Sequence, residues 1–182
     1  RAIRNLQLRG GSVFVNTERA VEGFTEQGSN KSVETGTWPV AGGNPGRSGS
    51  KDLEIDLDTP PAIEWKREFA PGPPVLADGL VINSKIARNA ATGNPVWKST
   101  PVRYQSATDG TQVFEIAEIG SSGSKSQSVI RALELHTGET VWKQKIEGRA
   151  EAGPIPYGDF IYVGTAGNGI VKLAKESGSP IS

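Results

Sequence analysis

A tryptophan that returns with the same neighbours at a fixed interval constrains this 182-residue chain more than any other feature. One stretch runs from Ala87 through Asn89, Thr92 and Gly93 to Trp97. A second runs from Ala132 through Glu134, Thr137 and Gly138 to Trp142. Alanine, Thr-Gly, Val and Trp-Lys recur at identical spacing, and the interval from Trp97 to Trp142 is 142 − 97 = 45 residues. A third, decayed copy runs from Leu173 through Ser177 and Gly178 to Ile181, with Ser182 where tryptophan is due. Repeats at periods of this size point to stacked supersecondary units, and ~40–45 residues suits four-stranded propeller blades.

A second pattern alternates with the first. Pro74–Ile82, Ser106–Phe114 and Pro154–Val163 each place a tight turn between β-rich runs, namely Asp78-Gly79, Asp109-Gly110 and Gly158-Asp159. Leu6–Val15 has the same shape around Gly10-Gly11. Such dipeptides mark hairpins, because glycine accepts the positive φ that matches strand twist. Thr-Gly turns the chain a second time. One unit is therefore strand, turn, strand, loop, strand, Thr-Gly turn, strand, a four-stranded antiparallel meander. The fold class expected is all-β, a β-propeller segment of about four blades. The 23 Gly and 12 Pro residues agree, since long helices do not survive such a density of breakers. The tryptophans read as wedges between neighbouring sheets. An aromatic ligand platform is the alternative, and repetition favours the wedge.

The eleven-residue unit resembles the repeat of pyrroloquinoline-quinone-type β-propellers, A-x-D-x-x-T-G-x-x-x-W, with Asn89 and Glu134 in place of the usual Asp. The stretch Trp38–Gly49, followed by Pro60-Pro61 and Trp65-Lys66, resembles the lead-in that opens such propellers. The resemblance covers 37–182, whereas 1–36 carries a weaker strand-turn-strand echo and is expected to be a weakly matching β segment, the end of a preceding blade. The structural repeat residues are Ala87, Thr92, Gly93, Trp97, Ala132, Thr137, Gly138 and Trp142. The family implies a ring of about eight blades, so a partner protein, a second copy or the rest of a longer chain is expected to complete it, with a closed four-bladed propeller as the rival. Bare sheet edges otherwise template aggregation. The chain starts at Arg1 and has no methionine, which suits a processed chain or a fragment.

Relatives of this kind divide into quinone-dependent dehydrogenases and non-catalytic scaffolds such as a bacterial outer-membrane assembly lipoprotein. The alcohol-oxidising members carry an adjacent cysteine pair, a Ca²⁺ site and a catalytic Asp. This chain has no cysteine, which also removes disulfides, thiolate metal sites and covalent haem attachment. No catalytic, cofactor-binding or metal-binding residue is assigned, and no cofactor. The expectation is a scaffold of the periplasm or extracellular space, a compartment that rests on the resemblance alone. A dehydrogenase fragment whose cofactor ligands lie on other blades is the alternative, and a purely structural half-ring is a third reading.

The remaining features read as ordinary surface. Asp52, Glu54, Asp56 and Asp58 alternate with Leu53, Ile55 and Leu57, which puts the acids on one strand face. Successive members of such a row stand ~6.6–7 Å apart, too far for more than two to share one Ca²⁺. His136, the only histidine, sits beside the Thr137-Gly138 turn and reads as solvated. The glycine-rich stretches Gly42–Gly49 and Gly120–Gly123 lack the G-K-[ST] ending of a phosphate loop, and 120–128 reads as a hairpin loop. Asn30-Lys31-Ser32 fits a glycosylation acceptor. Lys+Arg and Asp+Glu balance at 20 each, so no basic excess favours nucleic acid. No apolar run approaches the ~20 residues of a membrane span.

Overall fold

The computed structural model describes residues 3–9, 12–17, 20–25, 40, 62–68, 73–83, 85–100, 106–119, 127–166 and 169–181. The acidic run 52–58, the lead-in apart from Val40, Gly42–Gly49, Gly120–Gly123 and Asn30-Lys31-Ser32 lie outside these residues. Every regular element described is a strand. β1 (Ile3–Arg9), β2 (Ser12–Thr17), β3 (Ala20–Thr25) and β4 (Ala62–Glu68) form the first sheet. β5 (Val75–Ala77), β6 (Leu80–Asn83), β7 (Ile86–Asn89) and β8 (Pro95–Lys98) form the second. β9 (Ala107–Thr108), β10 (Gln112–Ile119), β11 (Gln127–Glu134) and β12 (Thr140–Glu147) form the third. β13 (Ile155–Tyr157), β14 (Phe160–Thr165) and β15 (Gly169–Ala174) form the fourth, where a bridge from Leu173 to Pro180 stands in the fourth-strand position. Each sheet is an antiparallel meander in chain order, as the turn pattern predicts. The division at 36/37 falls between β3 and β4, so 1–36 supplies three strands of the sheet that contains Trp65.

The turns follow from their residues. Asp78 (φ 37°) and Gly79 (φ 73°) both adopt positive φ, the condition for the hairpin turn that matches strand twist. The Asp109 carboxylate accepts from the backbone N–H groups of Thr111 (2.9 Å) and Gln112 (2.8 Å), which closes the second hairpin. The motif turn has its own logic. Asn89 Oδ1 accepts from the N–H groups of Ala91 and Thr92, both at 3.0 Å. Glu134 Oε2 does the same for His136 (2.9 Å) and Thr137 (2.6 Å). Both replacements of the family's usual Asp thus keep an acceptor where the turn needs one. In the third copy Ala174 cannot play that part, although Ser177 Oγ still accepts from Ser179 N at 3.2 Å, as Thr137 does from Glu139 N at 3.1 Å.

The sheets stack face to face, and the core lies between them. Val75, Ala77, Ile82, Ala87 and Trp97 of the second sheet meet Val113, Leu133 and Leu135 of the third. Phe114, Ile116, Ile130, Ala132 and Trp142 of the third meet Ile161, Val163 and Leu173 of the fourth. Alternation over Val113–Ile116 of β10 therefore serves two cores at once, Val113 facing the second sheet and Phe114 and Ile116 the fourth. The short first strand β9 lies beside both β5 and β13, so the innermost strands gather around a common axis. This arrangement is that of consecutive propeller blades.

Candidate functional site

The residues singled out by the motif meet at the joints between sheets. Trp65 Nε1 donates to Ala90 O at 2.8 Å, Trp97 Nε1 to Leu135 O at 2.7 Å, and Trp142 Nε1 to Lys175 O at 2.8 Å. Each acceptor lies three residues before the motif glycine of the following sheet, and each indole lies against that glycine. A Cβ on Gly93 would stand 2.6 Å from Trp65 Cδ2, and one on Gly138 would stand 2.7 Å from Trp97 Cδ2. Gly178 meets Trp142 in the same way. All three glycines also hold positive φ, at 68°, 71° and 73°. Glycine is thus required twice over, by backbone conformation and by the ring. Ala87 and Ala132 are the cross-strand partners of Trp97 and Trp142, and Thr92 and Thr137 shape the turns that receive the preceding indole. The tryptophans are 6–8% exposed, which leaves no open aromatic platform at these positions.

The joint between the second and third sheets also contains a buried ion pair that the repeat pattern does not disclose. Glu115 on β10 is opposite Arg131 on β11, and its Oε2 accepts from Arg131 Nη2 at 2.6 Å and Nε at 2.9 Å. Arg131 also donates to the backbone carbonyl of Thr100 at 3.0 Å and to the Thr100 hydroxyl. Ser99 and Ser106 approach the same carboxylate at 3.4–3.5 Å. The pair therefore fastens residues 99–100, where the chain leaves the second sheet, to the face of the third. Burial pushes the Glu115 carboxyl up, and the Arg131 charge opposes this without cancelling it. A glutamate inside the apolar run Val113–Ile116 was the available sequence signal.

Two further side-chain contacts cross the joints at the turn end. His136 Nε2 stands 3.0 Å from Asp78 Oδ2, both exposed, so the solvated histidine also reaches the preceding sheet's hairpin turn. Lys175 Nζ stands 3.2 Å from Asp109 Oδ2. Burial pushes the Asp109 carboxyl up, but the Gln112 and Thr111 N–H groups, the Thr111 hydroxyl and Lys175 outweigh it and hold it below the ordinary carboxylate range. Among the described residues no group of three or more His, Asp or Glu side chains could hold a metal ion. No helix of the described structure is long and apolar enough to cross a membrane.

Comparisons with known proteins agree with this architecture. Residues 125–181 match the family described as outer membrane protein assembly factor BamB. No curated protein matches the chain. Among solved structures, BamB from Moraxella catarrhalis superposes with a TM-score of 0.54 at 14% identity, covering 98% of this chain and 47% of that one. A quinohemoprotein alcohol dehydrogenase from Pseudomonas putida HK5 superposes with a TM-score of 0.55 at 16% identity, covering 80% of this chain and 26% of that one. The chain thus spans less than half the length of either structure. With its motif turns, stacked antiparallel sheets and these likenesses, the chain has the fold of β-propeller repeat proteins, and its residues 125–181 resemble the outer membrane protein assembly factor BamB family.

Proposed function

We propose that the chain is a non-catalytic propeller segment, a scaffold for protein–protein interaction in the bacterial envelope, completed into a ring by a protein partner, a second copy or the rest of a longer polypeptide. The observation that carries this reading is the match of 125–181 to the outer membrane protein assembly factor BamB, supported by the superposition over 98% of the chain on a BamB structure. The site chemistry points the same way. The residues that the motif singles out contact one another across sheets, and the buried charges Glu115 and Arg131 are spent on each other. The likeness to a quinohemoprotein alcohol dehydrogenase favours one second reading, a dehydrogenase segment whose cofactor ligands lie on other blades.

Light scattering on material purified without denaturation tests the proposal. A species heavier than the 19.2 kDa chain, with no quinone-dependent reduction of a dye acceptor, is expected. A monodisperse 19.2 kDa monomer contradicts the partnered ring, and dye reduction that needs both quinone and Ca²⁺ favours the dehydrogenase.

A further inference from the structure

The residue opposite each wedge tryptophan is small. Gly23 pairs with Trp65, Ala87 with Trp97 and Ala132 with Trp142. Directly opposed side chains on one face stand ~4.5–5.5 Å apart, so a large residue there would compete with the indole for space. In the fourth sheet the bridge from Leu173 to Pro180 keeps the register of Arg88 with Pro95 and of Leu133 with Thr140. Position 172 is therefore the counterpart of Gly23, Ala87 and Ala132, and by sequence spacing alone (97 − 87 = 142 − 132 = 10) a tryptophan would be due at position 182. The sequence has Lys172 and Ser182 there, so both members of the wedge pair have changed together.

The neighbours of Lys172 have changed with it. Tyr162 is its cross-strand partner, where the second and third sheets have Ile82 and Phe114. Lys172 Nζ lies 3.8 Å from the centroid of the Phe160 ring, a cation–π contact. Tyr157 is 67% exposed and Ile170 74%. The forward face of the fourth sheet is thus an aromatic surface with a cation at its centre, unlike the dry faces that carry Trp97 and Trp142.

We propose that this face docks a partner β-sheet through charge rather than through a tryptophan wedge. The partner presents a carboxylate to Lys172 and apolar side chains to Tyr162 and Phe160. The inference rests on the partnered-ring reading and states the chemistry of that partner. Continuity with the joints already described identifies the occupant as another sheet, since the second and third sheets are each covered on this face by the sheet that follows. Charge complementarity identifies the carboxylate. Lys172 has no carboxylate partner among the described residues, and covering an unpaired ammonium is costly. The third sheet supplies a precedent, because the face it turns to its predecessor carries Glu115.

Carbodiimide cross-linking of natively purified material, read by peptide mass spectrometry, tests this. The Lys175–Asp109 contact at 3.2 Å is the internal control. Lys172 is expected in a zero-length link to an Asp or Glu of a partner sheet, and mixing isotopically light and heavy copies separates a second copy from a different polypeptide. Lys172→Glu is expected to weaken the association at least tenfold, with Lys172→Arg close to wild type and salt mimicking the loss. The proposal is overturned if Lys172 stays unlinked while Lys175 links to Asp109, or if Lys172→Glu leaves association unchanged. An assembly heavier than 19.2 kDa with an unlinked Lys172 keeps the partnered ring and removes only the charge docking, whereas a 19.2 kDa monomer removes both.

Discussion

Gly138→Ala separates the wedge from every other demand on a motif glycine. Two costs act at this position. Alanine must adopt φ near 71°, which costs ~1–2 kcal/mol for an L-residue. Its Cβ would also stand 2.7–2.9 Å from three carbons of the Trp97 ring, and overpacking of that kind costs ~1–3 kcal/mol. Gly79 supplies the control. Its φ is 73°, and a Cβ there meets nothing within 4 Å. Gly79→Ala should therefore cost only the conformational part, ~1–2 kcal/mol, against ~2–5 kcal/mol for Gly138→Ala. With a urea m-value of ~2 kcal/mol/M, the midpoint should fall by ~0.5–1 M in the first case and ~1–2.5 M in the second. Trp97→Ala alone should cost ~3–5 kcal/mol, and in its background the extra penalty of Gly138→Ala should disappear. The cycle then returns a coupling of ~1–3 kcal/mol between residues 41 positions apart in sequence (138 − 97). Denaturant melts followed by far-UV circular dichroism provide the numbers. Equal midpoints for Gly138→Ala and Gly79→Ala, or strict additivity with Trp97→Ala, would refute the wedge.

Three further outcomes are expected. Arg131→Met leaves Glu115 buried without its partner and should cost ~3–5 kcal/mol, whereas Glu115→Leu with Arg131→Met should be near neutral in the same melts, apart from the loss of the Thr100 contacts. Because the Asp109 carboxyl is held below its unfolded value, its contribution is present above the unfolded pKa and lost as pH falls through the folded one; the stability gap between wild type and Asp109→Asn should therefore close on acidification, and a gap constant with pH would contradict this. The chain alone should not reduce a dye acceptor with added quinone and Ca²⁺, since its sequence has no cysteine and a single histidine; turnover absent from a heat-treated control would reverse that expectation.

The sequence disclosed the repeating parts of the molecule far better than the singular ones. The Thr-Gly and Asp-Gly turns were legible because positive φ restricts which residues can stand there, and the period followed from Trp97 and Trp142. Asn89 and Glu134 looked like departures from the repeat, yet each supplies the acceptor that the turn requires. The destination of each indole was not legible, because the contact from Trp97 to Gly138 joins neighbouring repeats and no periodicity within one repeat encodes it. Trp65 stood beside the lead-in rather than in a recognisable motif, since the sequence four to five residues before it has Pro60-Pro61 and no Thr-Gly. Only register shows that it belongs with the other two, through its pairing with Gly23 and its bond to Ala90 O. Glu115 and Arg131 occur once, so repetition could not flag them. Their opposition depends on the antiparallel pairing of β10 with β11. The Asp78–His136 and Asp109–Lys175 contacts escaped for the same reason as the indoles, because each spans two sheets.

The stacking of consecutive sheets through tryptophan and glycine can be observed in solution by nuclear Overhauser spectroscopy on isotopically labelled chain. Cross-peaks from the Trp97 indole protons to Gly138 Hα and from the Trp142 indole protons to Gly178 Hα are predicted, together with indole N–H groups slowed in solvent exchange by their bonds to Leu135 O and Lys175 O. Indole N–H groups that exchange at the rate of free tryptophan, with no cross-peak to either glycine, would contradict the blade assignment.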